Sequence, residues 1–239
     1  MRLWHRVSLL FVLAAMAACS SPGSQPAQQS AAISGDPGDA FGTPASDQPV
    51  TIAFLGDSLT AGLGLLENQA YPARIGELLT ADGYTADIIN GGVSGDTTAG
   101  GLRRYEQLLS GGTRILVVAL GANDALRGLT VKQTHDNLAA IIEGTRAQGV
   151  AVVVAGMEAP TNLGDDYRSA FRNVFVDLLR EFGRGGDVRF VPFLLEGVAG
   201  RPELNQADGI HPNEQGARVV ASVVYPQVRA FVVRIAEPR

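Results

Sequence analysis

Apolar residues in this chain fall into short unbroken runs separated by longer amphipathic stretches. Five runs bounded by Gly, Asn or Asp predict buried strands over residues 50–55, 84–89, 114–120, 150–156 and 188–191. Between them, apolar positions recur at helical spacing over residues 71–82, 98–109, 131–148, 167–182 and 213–235. Pro72 falls in the first turn of its helix, where a missing N–H is harmless, whereas Pro226 is expected to kink the last one. The strands are nearly all apolar, which implies a sheet covered on both faces. Strictly alternating strand and helix then predict an α/β fold: a three-layer α/β/α sandwich around a five-stranded, parallel, flavodoxin-like sheet. Ligands of such sheets bind at the carboxyl ends of the strands, so the loops after Leu55, Asn90, Leu120 and Gly156 are the places to look for chemistry.

The pattern before residue 50 is different. Arg2 and Arg6 precede an apolar run over residues 7–18 that is too short for a permanent membrane span, and residues 1–18 therefore read as a secretory signal. The run ends in Met16-Ala17-Ala18-Cys19, which resembles a bacterial lipobox and implies cleavage before a lipidated Cys19; a plain secretory signal with an incidental Cys19 is the alternative. Of residues 20–49, 24 are Ser, Pro, Gly, Gln or Ala, with no Lys or Arg, so residues 19–49 are expected to be a lipidated Cys and a disordered tether. As a flexible coil that tether reaches about 30 Å. Residues 50–239 are then the folded domain of an exported protein, lipid-anchored on the periplasmic side of a bacterial membrane or else soluble in the periplasm or secreted.

Composition narrows the function classes. A net charge of −5 gives no basic face for nucleic acid. The single Cys excludes an internal disulfide and thiolate zinc cages, and three His leave few routes to a metal site, so no metal or cofactor is expected. Four loops carry reactive residues: Gly56-Asp57-Ser58-Leu59, Ser94-Gly95-Asp96-Thr97, Gly121-Ala122-Asn123-Asp124 and Asp208-Gly209-Ile210-His211-Pro212. A serine at a strand end together with an Asp three residues before a His supplies the parts of acyl transfer. Ser58 would be the nucleophile, His211 the base that takes its proton, and Asp208 the carboxylate that orients the imidazole, with Gly209 freeing the backbone for the turn.

These four blocks, in this order, resemble the GDSL-type SGNH hydrolase family, within it the bacterial thioesterase, lysophospholipase and arylesterase branch, over roughly residues 51–213. The resemblance implies the three-layer sandwich, the triad Ser58, Asp208 and His211, and an oxyanion hole made by the backbone N–H groups of Ser58 and Gly95 and the side-chain amide of Asn123. It also implies an acyl-enzyme route on carboxylic esters or thioesters, with a lysophospholipase or a polysaccharide O-acetyl esterase as alternatives on the same triad.

Other residues read as structural. Gly91 and Gly92 suit a turn, Asp124 a loop or helix cap, and Asp57 a local hydrogen bond that fixes its loop. His135, in series with Val131, Leu138 and Ile142, reads as a packing histidine on an inner helical stripe. A flavodoxin-like phosphate or flavin binder is a different class of function, favoured by Ser58, Thr60 and Gly62; Asp57 would face the phosphate and the Asp208/His211 pair would be idle. A catalytically silent surface lipoprotein would need a missing triad member. For substrate, the expectation is an ester of short to medium acyl chain, with residues 157–164 and 67–69 bordering the acyl pocket.

Overall fold

The computed structural model describes residues 48–236; the signal, Cys19 and nearly all of the expected tether lie outside the described residues. The five strands are β1 (Val50–Gly56), β2 (Ala86–Gly92), β3 (Ile115–Ala119), β4 (Ala151–Ala155) and β5 (Val188–Val191). All are parallel, in the order β2-β1-β3-β4-β5. Helices α2 (Tyr71–Ala81) and α7 (Glu214–Ala236) pack together on one face, and α3 (Thr98–Leu109), α5 (Val131–Ala147) and α6 (Asp165–Phe182) cover the other. The three-layer sandwich follows because β1, β3 and β4 are buried along nearly their whole length and need cover on both sides.

Two features of the sheet position the site. Gly56 is in register with Gly92 on one side and Ala119 on the other, so three strands end at one level. The chain also leaves β1 toward one face for α2 and leaves β2 toward the other for α3, so the loops after β1 and β3 part and open a crevice between them.

Several expectations need correction. Strand β2 runs later than residues 84–89 and takes in Gly91 and Gly92, which are strand, not turn. A Cβ on Gly92 would lie 2.2 Å from the Ala61 nitrogen and one on Gly91 2.8 Å from the Phe54 carbonyl oxygen, so this glycine pair lets neighbouring backbone pack directly on β2. Two one-turn helices, α1 (Ser58–Ala61) and α4 (Ala122–Leu126), occupy stretches read as loops; each is too short to show a helical period. His135 is not on the inner stripe, which is Thr134, Leu138, Ile141, Ile142 and Thr145. It sits one position further round, half-buried, with Nε2 3.4 Å from Glu181 Oε2 on α6. The closing helix α7 runs as expected with Pro226 inside it.

Candidate active site

The first strand delivers a serine to the crevice through a turn with almost no room. A Cβ on Gly56 would sit 1.9 Å from Thr60 Oγ1, so only glycine fits there. Asp57 caps α1, its Oδ1 accepting the Leu59 N–H at 3.0 Å, which makes Ser58 the first residue of that helix. Thr60 and Tyr71 share a buried 2.9 Å hydrogen bond that ties α1 to α2.

The histidine comes from the loop between the last strand and α7. Backbone bonds from Gln206 N–H to the His211 carbonyl (2.8 Å) and from Gly209 N–H to the Gln206 carbonyl (2.9 Å) fold residues 206–211 into a tight turn, with Gly209 at φ +69°. Asp208 Oδ1 accepts the N–H groups of Ile210 (2.9 Å) and His211 (3.0 Å), and its Oδ2 lies 2.7 Å from His211 Nδ1. His211 Nε2 lies 2.9 Å from Ser58 Oγ. Three residues drawn from opposite ends of the domain thus form one hydrogen-bonded line. Two backbone donors and then the imidazole hold the Asp208 carboxyl at about 2, even though the side chain is 44% exposed. As an acceptor-only carboxylate it accepts a hydrogen bond from Nδ1–H and so leaves the Nε2 lone pair to face Ser58.

The opposite wall of the crevice comes from the loops after β2 and β3. Gly95 adopts φ +79°, a region open to glycine, and its carbonyl accepts from Arg127 Nη2 at 2.7 Å. Asp96 is pinned by Arg104 Nε at 2.7 Å. The other two guanidinium nitrogens of Arg104 donate to the Gly91 (2.6 Å) and Gly56 (2.9 Å) carbonyls, so this one side chain clamps the carboxyl ends of β1 and β2. Asn123, in α4, donates from Nδ2 to Asp57 Oδ2 at 3.0 Å. Asp57 is 1% exposed, and burial pushes its carboxyl up to about 6 against the bonds from Leu59 and Asn123 and the nearby His211. Asp124, read as a cap, is fully buried and accepts the Thr98 N–H at 2.9 Å, which fastens α4 to α3.

The space beside Ser58 is small. A niche of about 10 Å³, room for one water, is lined by Leu63, Leu65, Tyr71, Leu195 and Val220 together with Ser58 and His211. Neither stretch expected to border the acyl pocket is among the residues lining this niche. Met157 and Glu158 line a separate groove of about 630 Å³ beside β5, where the chain just past β4 runs alongside the end of β5, Gly156 donating to the Val191 carbonyl and accepting the Leu194 N–H. Residues 67–69 form a 3₁₀ turn whose Gln69 bonds Glu214 at the start of α7, where Arg74 also holds Glu214.

The structure therefore brings Ser58, Asp208 and His211 together and sets Gly95 and Asn123 at the ends of the strands flanking β1; Cys19 lies outside the described residues. Arg104, Arg127 and the Asp57–Asn123 contact were not visible in the sequence. Each joins residues far apart in the chain, and an Arg on a helix carries no local mark of its partner.

The chain is similar to known proteins in sequence and in fold. Esterase TesA of Pseudomonas aeruginosa is 40% identical over 183 residues, covering 76% of this chain and 89% of that protein. Thioesterase 1/protease 1/lysophospholipase L1 of Escherichia coli K12 is 33% identical, covering 76% and 85%. The crystal structure of AlinE4, an SGNH-hydrolase family esterase, is 38% identical with a TM-score of 0.63, covering 77% of this chain and 96% of that one. Residues 54–219, from the end of the first strand to the start of the last helix, match the GDSL-like Lipase/Acylhydrolase family, and the chain belongs to that family.

Proposed function

We propose that this protein is a serine esterase that hydrolyses carboxylic esters or thioesters of short to medium acyl chain through an acyl-enzyme. The hydrogen-bonded line from Ser58 Oγ through His211 to Asp208 carries the reading. Ser58 Oγ attacks the ester carbonyl as His211 Nε2 takes its proton, while Asp208 stabilises the imidazolium through Nδ1–H. The backbone N–H groups of Ser58 and Gly95 and the Asn123 amide meet the developing oxyanion. The Nε2 proton then passes to the departing alcohol or thiol. Water attacks the acyl-Ser58 ester by the same route in reverse order, with His211 again as base. The lining of the niche at Ser58 is mostly apolar, which suits the hydrocarbon of an acyl group.

The address belongs to the proposal. Arg2, Arg6, the apolar run to Ala18 and the Met16-to-Cys19 motif support export and lipid anchoring at Cys19 on the periplasmic side. That address separates the enzyme from cytoplasmic acyl-CoA, so oxyesters are the better candidates for its natural substrate. Purified protein is expected to hydrolyse p-nitrophenyl esters with highest kcat/KM at short to medium acyl length, and Ser58→Ala to abolish turnover. Activity surviving in Ser58→Ala would mean another nucleophile, and a long-chain optimum would overturn the acyl-length reading. Cys19→Ser is expected to move the protein out of the membrane fraction with its activity intact.

A further inference from the structure

The crevice holds a second carboxylate that the triad does not use. Asp57 precedes the serine, is 1% exposed, and spends both oxygens on neighbours: Oδ1 on the Leu59 N–H and Oδ2 on Asn123 Nδ2. A carboxamide can present either its NH₂ or its C=O along a given direction, and a lone Asn at the mouth of a crevice has nothing to choose between them. An ionised carboxylate accepts and never donates, so beside Asp57 only the NH₂ orientation is satisfied.

We infer that Asp57 is a positioning residue that fixes the Asn123 amide with Nδ2 forward, leaving the second N–H of that nitrogen for the oxyanion. This rests on the proposed role of Asn123 in the oxyanion hole. The amide in the other orientation would set a carbonyl oxygen where negative charge develops and turn a donor into a repulsive group. Because Asp57 also caps α1, one buried group sets the direction of the nucleophile's helix and of an oxyanion donor arriving from another strand.

Two substitutions separate these jobs. In Asp57→Asn, the single side-chain carbonyl cannot accept from both Leu59 and Asn123, so one donor faces another and the Asn123 amide is free to turn. In Asp57→Ser, the hydroxyl remains a good helix cap for the Leu59 N–H but is too short to reach Asn123. The initial-rate kinetics of p-nitrophenyl acetate hydrolysis are measured for wild type, both Asp57 variants, Asn123→Ala, and each double variant, with active sites counted by stoichiometric organophosphate titration. Asn123→Ala is expected to lower kcat about 100-fold. Each Asp57 variant should lower kcat at least about tenfold with KM nearly unchanged. Each double variant should match Asn123→Ala within about twofold, because the amide has already gone.

Effects that multiply in the double variants would show that Asp57 acts independently of Asn123 and overturn the inference, as would full kcat in Asp57→Ser. A merely structural role would appear as fewer titratable sites with kcat per site unchanged, which also overturns it. If Asn123→Ala itself keeps full activity while Ser58→Ala is dead, the assignment of Asn123 fails and the serine mechanism stands.

Discussion

Two aspartates flank the reacting atoms, and their surroundings drive them in opposite directions. Asp208 is largely open to water yet its carboxyl lies at about 2; Asp57 is sealed inside yet lies at about 6. Exposure alone would leave Asp208 near its ordinary value. The two N–H groups of Ile210 and His211 aimed at one oxygen are what lower it, and they exist only because residues 206–211 form a tight turn. Asp57 also has two donors, from Leu59 and Asn123, but desolvation outweighs them. The site thus keeps one carboxylate ionised through backbone geometry and holds the other in place by burial. The exposed one faces the imidazole, and the buried one faces the amide.

The comparison can be broken most severely at Asp208. Asp208→Asn replaces an acceptor with an amide that can donate to Nδ1, which favours the tautomer whose Nε2 carries the proton and cannot act as base. A kcat loss of about 10³–10⁴-fold is expected in steady-state ester hydrolysis. On the buried side the matching test is Arg104, whose three bonds join Gly56, Gly91 and Asp96 beneath the Asp57 loop. Arg104→Met should cost about 3 kcal/mol in denaturant unfolding, because it removes one partner of a half-buried ion pair and leaves strand-end carbonyls without a donor.

A smaller effect tests the buried carboxyl directly. Its folded value of about 6 lies above the value of about 3.9 usual for an unfolded Asp, so the native state holds the proton more tightly. That contribution is complete below about pH 4 and is lost as pH rises through about 6, amounting to about 2–3 kcal/mol. Urea unfolding at a series of pH values should show this falling limb in wild type and its disappearance in Asp57→Asn. The opposite sign applies to Asp208, which favours the native state above about pH 4 and loses that contribution as pH falls toward about 2. An Asp57→Asn profile identical in slope to wild type would mean that burial does not set the Asp57 proton.

The smallest of these effects concerns the wall shared by the two regions. Tyr71→Phe removes the partner of buried Thr60 Oγ1 and should lower stability by about 1–2 kcal/mol while sparing the triad, measured as a shift in unfolding midpoint beside an unchanged kcat.

Much of this protein can be read from local pattern. The apolar runs that became β1, β3 and β4 are strands because a sheet buried on both faces has no use for polar residues, and the amphipathic stretches between them can only be its cover. Ser58, Asp208 and His211 were legible because their residue types and short spacings are what acyl transfer needs, and the Asp208 turn is encoded within four consecutive residues. Where the signal was not apolar periodicity, the reading slipped. Gly91 and Gly92 carry no side chain to mark them as strand, and α1 and α4 are barely more than one helical turn; His135, placed by periodicity itself, lies one position, about 100° of helix, from buried Thr134.

The sequence by itself determined the layers, the strand-end location of the chemistry and the three residues in line. Those depend on periodicity and on contacts a few residues apart. Only the tertiary structure decided how small the niche beside Ser58 is, which strand ends Arg104 clamps, and that Asp57 meets Asn123 across 66 positions of chain. The physical reason is range. A helix cap or tight turn is set by neighbouring residues, whereas desolvation and the pairing of a buried carboxylate with a distant amide exist only once five strands have been brought side by side.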